Sequence, residues 1–328
     1  MIKFTIRRLI IMIPVLLGVL FIVFTLSKLM PGDPVLTRVG MNFTQDQYDA
    51  MKKAMGLDRS FFSQFWSYLT GVVTRFDLGV SYQTNRAVST MITERIGLTI
   101  WLGVFSSVIT LALGIPFGIL SAIKQYSVAD VSVTTVSLIF ASMPGFWLGL
   151  IMMLLFSLTL GLLPSSGVGT WKHWIMPVLA QGLMPIAAIT RMTRSSMLEV
   201  IRQDYIRTAY AKGFGKGSVI RRYALKNSLI PVITVIGMQM SMIFGGSVVT
   251  EMIFSMPGLG TLLMSAINNR DYPAIMGVVL AISLCVCVIN LLVDLAYAAA
   301  DPRIKAQFSG GQHSRRKAMK AVKAGVLQ

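Results

Sequence analysis

The sequence predicts an all-α, polytopic membrane protein with six transmembrane helices and a small extracytoplasmic subdomain after the first of them. Three observations carry this. Apolar residues make up 54% of the 328-residue chain and charged ones 13%, with a mean hydropathy of +0.69, a balance that ordinary water-soluble domains do not show. The apolar residues gather into six runs long enough to cross a bilayer, about 9–29, 98–123, 131–160, 174–193, 229–254 and 273–299. The runs are continuous rather than short and alternating, so they predict helices and not the strands of a barrel.

A formal net charge of +17 in a soluble protein would suggest nucleic acid, so its distribution decides the partner. With the amino terminus in the cytoplasm, the inner segments hold 20 of the 30 Lys and Arg: Lys3, Arg7 and Arg8 before the first run, Lys124, nine from Arg191 to Lys226, and seven from Arg303 onward. Eight of the 13 acids fall outside, leaving about +15 inside and +2 outside. That is the positive-inside pattern, and it predicts a multi-pass membrane protein with both termini in the cytoplasm and no nucleic-acid partner. The first run follows basic residues as a signal peptide would. Its length and its lack of a small-residue cleavage site predict a retained anchor instead.

Four segments follow from this pattern: an anchor over 1–30, an extracytoplasmic subdomain over 31–96, a membrane core over 97–303 and a basic cytoplasmic tail over 304–328. Met30-Pro31-Gly32-Asp33-Pro34 cannot continue the first helix. The outer segment then carries amphipathic pieces at Thr44–Met55 and Phe61–Val73, too much for a linker. It either meets a docking protein or only caps the outer mouth. In the core, Gly114 with Gly118 and Gly145 with Gly149 have the small-xxx-small spacing that lets helices approach. Ser142-Met143-Pro144 breaks the third run, Gln181 and Pro185 interrupt the fourth, and Gln239 lies in the fifth. Polar or backbone groups freed at bilayer depth face either protein or a wet cavity, which makes Ser142, Pro144, Gln181, Gln239 and Glu251 candidates for a translocation path. Glu251, near the outer end of its helix, would bind a cationic or amine group, pair with Arg270 or cap a backbone turn. Asp130 is expected to be a solvated helix start, and Asp294 to lie near the inner interface and pair with a base such as Arg191. Cys285 and Cys287 stand two apart on one helix, where their side chains diverge, so no disulfide joins them.

The longest charged interruption in the second half runs from Glu199 to Pro231, with seven Lys or Arg from Arg202 to Lys226. Asp204 to Lys212 predicts a short helix with Ile201, Tyr205 and Ala209 on one face, stopped by Gly213, Gly215 and Gly217. Ser218 is expected to cap a second helix that leads back into the membrane.

Arg207-Thr208-Ala209-Tyr210-Ala211-Lys212-Gly213, followed by Leu229-Ile230-Pro231, resembles the EAA cytoplasmic loop of binding-protein-dependent ABC importer permeases. Arg207 and Thr208 replace the first two residues of the general pattern, and the gap to Leu-Ile-Pro is longer. Both departures match the dipeptide/oligopeptide/nickel branch. Gly56-Leu57-Asp58, Asp77 to Ser81, Arg95 to Thr99, GGSVVTEMIFSMPGLG from Gly245 to Gly260 and Arg270-Asp271-Tyr272-Pro273 are similar to that branch at corresponding places. The resemblance implies the type I importer permease fold, a place in the bacterial cytoplasmic membrane, a second homologous permease, two ATPase subunits below and an extracytoplasmic substrate-binding protein above. It implies that the loop docks on the ATPase through Asp204, Tyr205, Arg207, Thr208, Ala209, Lys212, Gly213 and Phe214. It also implies di- or oligopeptides as cargo, with nickel or a metal chelate as the alternative.

No G-x-x-x-x-G-K-[ST] run is present, so the chain is not expected to hydrolyse ATP or hold a cofactor; ATP would belong to the partner ATPases. With two His and no H-E-x-x-H or Cys cluster, neither a catalytic metal site nor an enzyme is expected. The 22 Met serve as flexible apolar filler rather than as soft-metal ligands.

Overall fold

The computed structural model describes residues 2–30, 32–39 and 44–300. The tail expected over 304–328 lies outside them, as do Pro31 and Asp301 to Arg303. The chain opens with α1 (Ile2–Leu29), a peripheral rod that packs on the last helix. The segment after it forms α2 (Pro34–Val39), α3 (Gln45–Ala54) and α4 (Phe61–Arg75). Thr44 and Gln47 close a capping box on α3, in which the Thr44 hydroxyl accepts from Gln47 N and the Gln47 side chain accepts from Thr44 N. Tyr48 donates its hydroxyl to Asp33, a bond that, with the carboxylates of Asp33 and Asp49 nearby, raises the phenol's pKa.

The core is built on α5 (Val88–Ile123), whose 36 residues extend about 54 Å. It begins earlier than its apolar run because Val88, Met91 and Ile92 are buried against the outer ends of the later helices. The third span is broken into α6 (Val128–Ser142) and α7 (Gly145–Met152), the latter continued by a π-helical stretch Met153–Thr159, with a bend of 99° between the halves. Met143 and Pro144 are both extended there. The break is therefore a turn and not a kink. The fourth span is α8 (Lys172–Leu183) and α9 (Ile186–Ile201), bent by 49° at Pro185. After α10 (Asp204–Ala211), a single turn α11 (Lys216–Ser218) and a π-helical stretch Val219–Ala224 lead into α12 (Leu225–Ile253). A short α13 (Leu259–Asn268) folds back at the outer end before α14 (Tyr272–Ala300).

Among the described residues the interior is three apolar clusters stacked along α5: an outer one at Val88 and Ile92, a middle one at Leu102 and an inner one at Ala122. Helix α5 crosses α9 closely. A Cβ at Gly118 would stand 2.4 Å from Thr193 Cβ and 2.7 Å from Thr190 O, so the helices meet backbone to backbone only because that position has no side chain. The second small-residue pair is looser, with Gly149 resting against the Phe254 ring.

At the outer end, Asp271 heads α14 and accepts from Tyr82 N at 3.0 Å and from the Ser81 hydroxyl. The RDYP segment thereby ties the turn closed by the Val80–Ala87 bridge to the core.

Candidate functional site

At the other end of the bundle, α10 stands across the ends of α5 and α9. Ile206 and Ala209 are buried and join Ala122, Met197, Val219 and Ala224 in the inner cluster. Asp204, Tyr205, Arg207, Thr208, Lys212, Gly213 and Phe214 are all exposed. The buried face is thus set by Ile206 with Ala209, rather than by Tyr205 with Ala209 as the spacing suggested. Tyr205 is turned out, and its hydroxyl accepts from Asn227 Nδ2 at 3.1 Å, linking α10 to the first turn of α12. In a helix of only 8 residues the phase is set by what the bundle covers, and it covers Ile206 and Ala209.

Gly213 ends the helix at φ +81°, where its N–H donates to Tyr210 O at 2.9 Å and Phe214 N donates to Ala209 O. This is the left-handed helix stop that glycine adopts without strain. The following helix starts at Lys216, with extended Gly215 ahead of it. Ser218 lies inside that turn and makes no cap bond, so the expected Ser218 cap is corrected.

A staple that local reasoning missed sits under this loop. Asp130 is 4% exposed, not solvated. It accepts from Arg194 Nε at 3.0 Å and Nη2 at 2.9 Å, from Tyr126 N at 2.9 Å and from the Ser121 hydroxyl. The bidentate pair joins the α5–α6 turn to α9, two turns above the point where α10 begins. Asp294 is likewise corrected: its partner is Arg8 of α1, at 3.1 Å, and not Arg191.

Of the path candidates, Ser142 and Pro144 form the exposed turn between α6 and α7, and Ser142 donates back to Leu138 O at 2.8 Å. Gln181 donates to Ile243 O of α12 at 2.6 Å, while its own side-chain oxygen is buried without a partner. Gln239, half-buried, lies one turn before Ile243. Ser142 ends α6, Pro144 precedes α7, Gln181 lies in α8 and Gln239 in α12. Helices α7, α8 and α12 pack on one another, and the Gln181 bond to Ile243 O joins two of them.

Glu251 lies elsewhere. It is fully buried under α13 and accepts from Gly260 N at 2.6 Å, Thr261 N at 3.3 Å and Thr99 Oγ1 at 2.7 Å, while Thr99 Oγ1 accepts from Leu259 N at 2.8 Å. Two side chains thus satisfy three free N–H groups at the start of α13. Its oxygens hold a backbone turn, with Arg270 not involved, and face no path. Glu251→Leu, which leaves those donors buried and unpaired, is expected to destabilise the outer end by about 3 kcal/mol. Faster hydrogen exchange confined to 256–268 is the check.

Residues 1–103 match the family model described as binding-protein-dependent transport system membrane component, N-terminal, and residues 114–306 match the binding-protein-dependent transport system inner membrane component. The dipeptide transport system permease protein DppB of Alkalihalophilus pseudofirmus is 40% identical over 93% of this chain and 100% of its own length. The glutathione transport system permease protein GsiC of Pectobacterium atrosepticum is 40% identical over 93% of this chain and 99% of its own. Among solved structures, an inward-facing form of the MetNI methionine ABC transporter matches with a TM-score of 0.54 at 18% identity, over 65% of this chain and 97% of that one, which shows the permease fold. The relatives are transport permeases rather than enzymes. The chain belongs to the inner membrane components of binding-protein-dependent transport systems, multi-pass ABC importer permeases that serve with a partner ATPase and a substrate-binding protein.

Proposed function

We propose that this permease carries di- or oligopeptides, forming half of a pathway it shares with a homologous second permease above two ATPase subunits. The observation that carries the coupling role is the build of α10: Ile206 and Ala209 root it in the bundle while Arg207, Tyr210, Lys212 and Phe214 stay exposed. Such a helix moves as one piece with α9 and α12. Closure of the ATPases would shift it and rock those spans between outward and inward access. ATP then belongs to the partners, and this chain needs no cofactor of its own. The basic end of the bundle faces the cytoplasm with both termini, in keeping with the charge asymmetry. The extracytoplasmic subdomain and the turn at 80–87 meet the binding protein.

The peptide cargo is supported by relatives named for dipeptide and for glutathione, itself a peptide, matched along nearly their whole lengths. Ser142, Pro144, Gln181 and Gln239 would offer amide, hydroxyl and backbone groups to peptide bonds, a permissive lining that leaves selection to the binding protein. Mass spectrometry of ligand released from that partner binding protein should yield a mixture of short peptides. A nickel ion or metal chelate in their place overturns the assignment.

A further inference from the structure

We infer that α4 is not a water-exposed part of the extracytoplasmic subdomain but an amphipathic helix lying in the outer leaflet, with its apolar stripe against lipid acyl chains. The stripe is Phe62, Trp66, Leu69 and Val73, at i, i+4, i+7 and i+11 and hence on one face. Phe62 is 73% exposed, Trp66 66% and Val73 64%, and Phe76 just beyond is 84% exposed. Ser63, Thr70 and Thr74 lie on the flank away from it. Among the described residues nothing covers this stripe, and left in water it would present a contiguous apolar patch.

Depth selects lipid as the cover. In α1 the rise from Arg8 to Lys28 is about 30 Å, the thickness of a hydrocarbon core, so these two charges mark its edges. Phe24 and Phe21 lie about 6 and 10 Å inside the outer edge on the same rise. The inner face of α4 rests on those two rings: Phe61 is 5.1 Å from Phe24 and Phe65 is 5.4 Å from Phe21, centroid to centroid and edge to face. Lys28 Nζ, at the edge itself, donates to Gln64 Oε1. The first half of α4 is therefore held at or below the level of the outer interface. Its stripe continues the lipid-facing side of α1, where Phe21, Ile22 and Leu26 are exposed. Aromatic side chains at this level, with polar residues on the flank, are what an interfacial helix requires.

The assignment to the outer leaflet rests on the orientation proposed above; contact with acyl chains does not. The test uses the whole transporter in lipid vesicles, with Cys285 and Cys287 changed to Ala and a nitroxide placed singly at Phe62→Cys, Trp66→Cys, Val73→Cys, Ser63→Cys or Thr74→Cys. Collision rates are measured with oxygen and with a water-soluble nickel chelate. Labels at 62, 66 and 73 should favour oxygen several-fold and those at 63 and 74 the chelate, with and without the binding protein. Preference for the chelate at 62, 66 and 73 overturns the proposal. So does a loss of both collision rates there on adding binding protein, which makes the stripe a docking face. So do low rates with both reagents in its absence, which places it against the second permease. A chelate confined outside the vesicle that fails to reach 63 and 74 in right-side-out preparations overturns the orientation alone and leaves the lipid contact standing.

Discussion

Asp130→Ala should destabilise the chain by about 2–3 kcal/mol, because it leaves the partly buried Arg194 guanidinium among Val131, Thr134 and Leu138 without its carboxylate. The loss is read as a lower thermal midpoint of the detergent-solubilised transporter and a smaller amount in the membrane. The carboxylate also accepts Tyr126 N and the Ser121 hydroxyl, so the turn between α5 and α6 loosens with it. The paired change Asp130→Leu with Arg194→Leu should recover much of the deficit, since it removes the cost of burying two charges along with their attraction. A single variant as stable as the parent would mean that Asp130 is solvated after all. The staple lies between the spans and α10, so Asp130→Asn, which keeps the shape, should show a larger defect in uptake than in stability.

The second large effect is expected at the loop. Deleting Lys212 to Gly217, or changing Gly213→Pro, should reduce uptake to background while the complex still assembles and still hydrolyses ATP. Proline fixes φ near −65° and lacks the N–H that Gly213 donates to Tyr210 O. The native φ of +81° is out of its reach. Gly213→Ala keeps the N–H and meets only the left-handed penalty of about 1–2 kcal/mol, so it should transport at an intermediate rate. Uptake at the parent rate by the deletion variant would remove the loop from the mechanism.

How far the sequence could be read depended on whether a feature was local. The helix stop at Gly213 was legible because a left-handed residue and its two carbonyl partners lie within five positions. The break at Ser142 to Pro144 was legible as a break. Its 99° angle was not, since that depends on α7 packing against α8 and on Gly149 meeting Phe254. The burial of Asp130 was not legible, because nothing near it in the chain announces Arg194, which lies 64 residues on. Arg8 and Asp294, at opposite ends of the chain, are the same case. For Glu251 the alternatives narrowed only when α13 folded back over it.

Membrane span number, helical character, charge asymmetry and the outline of the cytoplasmic loop belong to the sequence itself. Each is a sum over neighbouring residues: apolar transfer along twenty positions, backbone hydrogen bonds closed within a helix, basic residues counted on either side. The tertiary structure alone decided which polar groups satisfy one another, which face of α10 is rooted, and where α4 lies relative to α1. Those choices turn on contacts between segments far apart in the chain. The cost of a buried, unpaired polar group then selects among partners that composition and spacing leave equivalent.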